Sequence, residues 1–178
     1  SFIHQSELFM STPGSPIEDI DTPALVIDLD LMEGNIARMA EFFAGQDAVL
    51  RPHTKTHKTP VLAHKQIAAG AQGVTCAKLG EAEVMAAAGI RDLLVANQVV
   101  GRVKINRLVA LAHHCDIIVA ADYADNVQEI SDAAMAVGSK VGMLVEVDVG
   151  MERCGVPPGE PALALARYRG AVGDAALG

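Results

Sequence analysis

DLLVANQVVGRVKINRLVALAHHCDIIVAAD, residues 92–122, decides the fold. Two apolar runs of strand length, DLLVAN (92–97) and DIIVAAD (116–122), enclose a segment of helical period. Strands this continuously apolar are usually covered on both faces, and strands joined through a helix run parallel. Outward from this unit the same alternation repeats. Strands are predicted at AVLRPH (48–53), GVTCAK (73–78) and VGMLVEVDV (141–149), each leading into a helical stretch. Thr59 and Pro60 suit the N-cap and first turn of a helix, and Gly70, Gly89 and Gly138 suit helix C-termini. A further strand, ALVIDLD (24–30), stands ahead of a helix opened by a capping-box-like pair, Asp30 and Glu33. That helix carries Met32, Ile36, Met39, Ala40 and Phe43 on one face.

Such alternation leaves two architectures, a doubly wound open sheet or a β/α barrel. No GxGxxG follows an early strand, which weakens the dinucleotide-binding form of the open sheet. The strand spacing of 19 to 25 residues suits a barrel built of similar units. From residue 48 onward five such strands can be counted, whereas a closed parallel barrel takes eight and about 250 residues. The chain therefore reads as α/β, the front part of a TIM-type (β/α)8 barrel over residues 21–178, without its second half. Residues 1–20 read as a flexible leader, and ALALARYRGAVGDAALG (162–178) begins as a helix without giving a next strand.

Composition excludes several classes of function. A net charge of -8 with no long basic run argues against a surface that tracks phosphates, and 3% aromatic residues leave few platforms for stacking bases. No apolar run approaches the roughly 20 residues that span a bilayer, and the N-terminus lacks a charged start followed by an apolar stretch. Neither membrane nor nucleic acid is expected as a partner, and a cytoplasmic location follows by default. Cys76, Cys115 and Cys154 are odd in number and far apart with no CxxC, which fits reduced thiols acting as small apolar residues.

Against that acidic background RPHTKTHKTP (51–60) is a local anomaly, with Arg51, His53, Lys55, His57 and Lys58 within eight positions. It falls at the C-terminal end of a predicted strand, where β/α barrels place their chemistry. Like charge nearby disfavours an ammonium, and a lysine that gives up its proton attacks carbonyls, either of a substrate or of pyridoxal phosphate. The plain alternative is a solvated basic loop. His53 and His57, four apart, lack the Glu of HExxH and need not share a face, so a metal site there is weakly indicated; His64, His113 and His114 fall on predicted helices. In VEVDVGMERCGV (145–156), a strand ends in Asp148, and Gly150 and Gly155 frame Arg153 over the strand end. An arginine so placed suits an anionic oxygen, the alternative being an ion pair with Glu146 or Glu152.

RPHTKTHK, AKLGEAEVMAAAGI (77–90), LLVANQVVG (93–101) and EVDVGMERCG (146–155), in that order, resemble the N-terminal half of the alanine-racemase-like, fold type III, pyridoxal-phosphate enzymes. Within them the wording is most similar to the metal-activated D-threonine aldolases and the eukaryotic-type D-serine dehydratases. The resemblance implies that Lys55 holds pyridoxal 5'-phosphate as a Schiff base and that Arg153 contacts its phenolic oxygen. Gln98 and Thr75, at matching strand ends, become candidates for the cofactor pocket. It further implies a D-3-hydroxy amino acid substrate, cleaved to glycine and an aldehyde or dehydrated to a keto acid and ammonia. A divalent metal (Mn, Mg or Zn) is implied with ligands outside this chain, as is a homodimer for the full-length protein. The ALVIDLD strand would then belong to a C-terminal β domain. Two other readings stay open: a non-catalytic pyridoxal-phosphate-binding protein of the same fold, and a direct imine between Lys55 and a carbonyl substrate.

Overall fold

The computed structural model describes residues 13–171, with side chains to Tyr168. The chain divides after Asn35 into two units. The first holds a single 3-10 turn, Ile17–Asp19, and the start of helix α1, Leu29–Phe43, which the division cuts. Of the predicted leader, residues 1–12 lie outside the described residues; the rest contains this turn, closed by Ile20 N–H donating to Ile17 O at 3.2 Å.

The predicted strand at 24–30 does not form. Residues 24–28 join no ladder among the described residues, and Leu29 and Asp30 already belong to α1. A strand exists only through the neighbour that takes its backbone hydrogen bonds, and none is present. The helix also starts earlier than the Asp30/Glu33 pair suggested, because the Asp28 carboxylate caps it by accepting Leu31 N–H at 3.0 Å.

In the second unit the elements alternate as predicted: α2 (Pro60–Ala68), β1 (Val74–Cys76), α3 (Leu79–Ala87), β2 (Asp92–Gln98), α4 (Arg102–Leu111), β3 (Asp116–Ala121), α5 (Ala124–Val137), β4 (Gly142–Val145) and α6 (Glu160–Ala171). The four strands pair in parallel in the order β1-β2-β3-β4. A doubly wound sheet reverses its strand order at a switch point, whereas sequential order without reversal is that of a barrel wall. The predicted strand at 48–53 runs beside β1 without forming a regular ladder. Its Pro52 O accepts Thr75 N–H and, one residue past its end, Thr54 N–H donates to Thr75 O, both at 2.8 Å, with one bridge between His53 and Thr75. Pro52 has no N–H to donate, so the ladder cannot continue through it. His113 and His114 also differ from expectation: α4 stops at Leu111 and both lie in the turn after it.

Strand register explains the core. Val74, Leu93 and Ile117 form one row and Cys76, Val95, Val119 and Met143 the next, all buried on the side of the sheet that carries the helices. Each large apolar side chain so buried contributes about 1.5–3 kcal/mol. The opposite row is more open, with Leu94 and Ile118 half-buried and Leu144 exposed. Coverage is thus one-sided, where the apolar runs had suggested two; in a closed barrel this second row faces the interior.

At the N-terminal edge of the sheet Arg51 forms an ion pair with Asp92 beside Gly73. A Cβ on Gly73 would sit 2.7 Å from the Arg51 guanidinium and closer still to the Asp92 carbonyl oxygen. Gly73→Ala is therefore expected to destabilise the full-length protein by about 1–3 kcal/mol, as overpacking against backbone does. Urea denaturation checks this, and an unchanged midpoint would contradict it.

Candidate active site

The basic decapeptide folds into a turn pinned from below. Thr54, fully buried, donates both its N–H (2.8 Å) and its hydroxyl (3.1 Å) to Thr75 O on β1. Its own carbonyl accepts Lys58 N–H at 2.7 Å and His57 N–H at 3.2 Å, which closes the turn and pushes Lys55 and Thr56 outward. Lys58 sits at φ 51°, a left-handed conformation uncommon for a residue with a Cβ. Its ammonium is committed to Glu81 on α3, whose other carboxylate oxygen accepts Ala77 N–H at 2.8 Å. Burial pushes the Glu81 carboxyl up, but the hydrogen bonds from Lys58 and Ala77 outweigh it and hold the group below its usual value.

The histidines of this turn face their own backbone: His53 Nδ1 accepts Lys55 N–H at 3.2 Å and His57 Nδ1 accepts Thr59 N–H at 3.0 Å. Burial, and after it the positive charge of Lys55, lower the His53 imidazole from its ordinary value, so the neutral ring is favoured. Among the described residues no group of three or more His, Cys, Asp and Glu converges to hold a metal.

Three strand ends along the sheet, those of β2, β3 and β4, meet in a second feature. Gln98, closing β2, donates its amide to Asp122 Oδ2 (3.0 Å), just past β3, and to Glu146 Oε2 (2.7 Å), just past β4. The same carboxylates hold the arginine turn. Asp122 Oδ2 accepts Gly155 N–H at 2.9 Å, and Glu146 Oε1 accepts the Cys154 thiol at 3.0 Å. The turn returns beside its own start, with Asp148 N–H to Val156 O and Val156 N–H to Glu146 O both at 2.9 Å. A glycine is required at 155, where φ is +100° and a Cβ would lie 2.6 Å from Asp148 N. At the tip, the Asp148 carboxylate accepts Gly150, Glu152 and Met151 N–H groups and is held below its usual value by them.

Both features border one open cleft of about 550 Å³, lined by His53, Lys55, Ala77, Ala96, Asn97, Gln98, Arg153 and Cys154. Three of the four predicted site residues, Lys55, Arg153 and Gln98, meet there. Thr75 is not among the lining residues: it is buried, and its hydroxyl donates to Arg51 O at 3.1 Å, so it braces the turn from beneath. Sequence reasoning passed over Asp122 and took Glu146 only as an ion-pair alternative for Arg153. Their signal was a lone acid directly after an apolar run, in IIVAAD and MLVE. Chemically the cleft offers an amine for a carbonyl, a guanidinium for an anionic oxygen, an imidazole for a proton and amides for orientation.

A wall of sequential parallel strands with an amine and a guanidinium at its C-terminal edge is the arrangement of a β/α barrel wall, whose chemistry sits at the strand ends. The chain belongs to the alanine racemase N-terminal domain family, whose model matches residues 27–173. It is 44% identical over 155 residues to a D-threonine aldolase of an Arthrobacter species, covering 87% of this chain and 41% of that protein. Against the D-threo-3-hydroxyaspartate dehydratase of Delftia sp. strain HT23 it is 38% identical over 147 residues, covering 83% and 39%. The crystal structure of D-threonine aldolase from Filomicrobium marinum superposes with a TM-score of 0.83 at 45% identity, covering 85% of this chain and 41% of that one. The chain thus spans about two fifths of the length of these relatives.

The pairing of Lys58 with Glu81 has a pH signature. The folded Glu81 carboxyl titrates below its unfolded value, so its contribution to stability is present above the unfolded value and lost as pH falls through the folded one. Lys58→Met leaves a buried carboxylate with one donor fewer. It is expected to cost about 1 kcal/mol at neutral pH and to move the acid-unfolding midpoint upward, since the side chain of Lys58 is itself largely in water. Urea unfolding of the full-length protein from about pH 2.5 to 7, which spans the range below the ordinary Glu value, reads both, and superimposable acid limbs for parent and variant would contradict the pairing.

Proposed function

We propose that the full-length protein is a pyridoxal-phosphate-dependent lyase of D-3-hydroxy amino acids, with D-threonine aldolase activity: glycine and an aldehyde from the Cα–Cβ bond. The observation that carries the reading is the division of labour between two lysines. Lys58 is spent on Glu81, and Lys55 stands exposed on the cleft that Arg153 also lines. The similarity to the Arthrobacter D-threonine aldolase supports the choice of reaction.

The residues present fit the cofactor. The cleft volume falls in the roughly 300–1,000 Å³ range of small-molecule sites. Its donor set matches an aldehyde, through the Lys55 amine, and a phenolate oxygen, through the Arg153 fork. Bound there, pyridoxal phosphate supplies a ring that accepts electrons from the bonds at Cα of an amino acid. The chain's own part is to attach the aldehyde carbon at Lys55 Nζ, to hold an anionic oxygen at Arg153 and to keep a neutral imidazole at the cleft. His53, whose Nδ1 accepts the Lys55 N–H, carries the proton of its neutral ring on Nε2, so there it is a hydrogen-bond donor. A divalent metal assisting at the substrate β-hydroxyl, a cytoplasmic location and a homodimer complete the reading.

The test uses the full-length protein with pyridoxal phosphate and manganese. D-threonine is expected to yield glycine, and Lys55→Ala is expected to lose this activity and the near-visible cofactor band together. Ammonia and keto acid in place of glycine would make the protein a dehydratase, in line with its similarity to the Delftia enzyme. A coloured, active Lys55→Ala protein would overturn the assignment of the lysine.

A further inference from the structure

Gln98 lines the cleft, and the obvious role for its amide is a direct contact with whatever binds there. Its hydrogen bonds indicate otherwise. Both donations from Nε2 go to carboxylates of the protein, Asp122 at 3.0 Å and Glu146 at 2.7 Å. Two acidic side chains so close to each other repel unless a donor lies between them, and an amide NH2 has one hydrogen for each. Beyond the amide, each carboxylate reaches the arginine turn: Asp122 through Gly155 N–H at 2.9 Å, Glu146 through the Cys154 thiol at 3.0 Å. Gln98 is thus joined to the residues on the C-terminal side of Arg153 by two separate two-bond paths, both at the open ends of parallel strands.

We propose that Gln98 is a positioning residue: it clamps Asp122 and Glu146 together, and these hold the 153–155 turn so that Arg153 is presented to the cleft. The clamp rests on the reading of Arg153 as an anion-binding group, although the clamp itself is present without any ligand. Arg153 is exposed and lies beside Cys154 and near Glu146, the two partners of the thiol hydrogen bond, so its position depends on that turn. With the clamp intact the guanidinium approaches the cleft from a fixed direction, and with it released the two carboxylates that hold Cys154 and Gly155 lose their common donor.

The Cys154 thiol provides a readout that needs no cofactor. It is half-buried and bound to Glu146, while Cys76 and Cys115 are buried and serve as internal controls. In the full-length, cofactor-free protein, Gln98→Met keeps the length of the side chain and removes both donors. Alkylation of Cys154 by iodoacetamide, followed by peptide mass spectrometry, is expected to speed up about tenfold, with Cys76 and Cys115 unchanged. In a parallel titration, affinity for pyridoxal phosphate is expected to fall about tenfold. Asp122→Asn, which leaves Gln98 in place, is the second variant and is expected to speed Cys154 alkylation in the same direction. Weaker cofactor binding with unchanged Cys154 alkylation would mean that Gln98 touches the cofactor directly, and would overturn the clamp. Unchanged alkylation and unchanged affinity would overturn it as well. Absence of cofactor binding in the parent protein would refute the proposed function, while the alkylation rates would still decide whether the clamp exists.

Discussion

The parallel ladder from β1 to β4 is the constraint on which the cleft depends. Because each strand pairs with the next in sequence, without reversal, their C-terminal ends fall along one edge. Ala77, Asn97, Gln98, Asp122 and Glu146 are far apart in the chain and adjacent in space for this reason alone. Asn97 shows the same arrangement between neighbours, donating to Ala77 O at 3.1 Å from the end of β2 to the end of β1. Apolar rows on the helix side set the register, since a slip of one residue would turn Leu93 and Val95 away from the core.

On that edge, charge is distributed by what burial permits. A charged group taken from water must be paired, and the basic decapeptide obeys this one residue at a time. Arg51, at its start, is drawn to Asp92 at the opposite end of the sheet, and Lys58, at its end and largely in water, pairs with the buried Glu81 on α3. Thr54 carries no charge and is the residue that can be buried, so it becomes the anchor on β1. What projects between these fixed points is Lys55. The abundance of positive charge in RPHTKTHKTP is therefore mostly structural, and one amine is left for chemistry.

Much of this was legible in the sequence because it is governed by short-range rules. The strand-helix alternation from GVTCAK to VGMLVEVDV appeared in the predicted order, with β1 and β4 shorter than those runs, and so did the Thr59–Pro60 start of α2 and the glycine end of α5 at Gly138. The rest depends on partners that no local pattern names. ALVIDLD has the composition of a strand but no ladder, and Asp28 gains more as a helix cap than as a strand residue. Thr75 sat at a strand end, which is where site residues are sought, but its side chain points into the turn's backbone. Asp122 was passed over, and Glu146 was read only as an ion-pair alternative for Arg153, because the donor they share is Gln98, 24 and 48 residues away.

The central claim is that Lys55, and no other lysine of the decapeptide or its neighbours, meets the carbonyl of the cofactor. Borohydride reduction of the full-length protein loaded with pyridoxal phosphate, followed by digestion and peptide mass spectrometry, tests it most directly. The account predicts a pyridoxyl adduct on Lys55, with Lys58, Lys65 and Lys78 unmodified. An adduct on Lys58, or stoichiometric cofactor binding with no reducible adduct on Lys55, would contradict it.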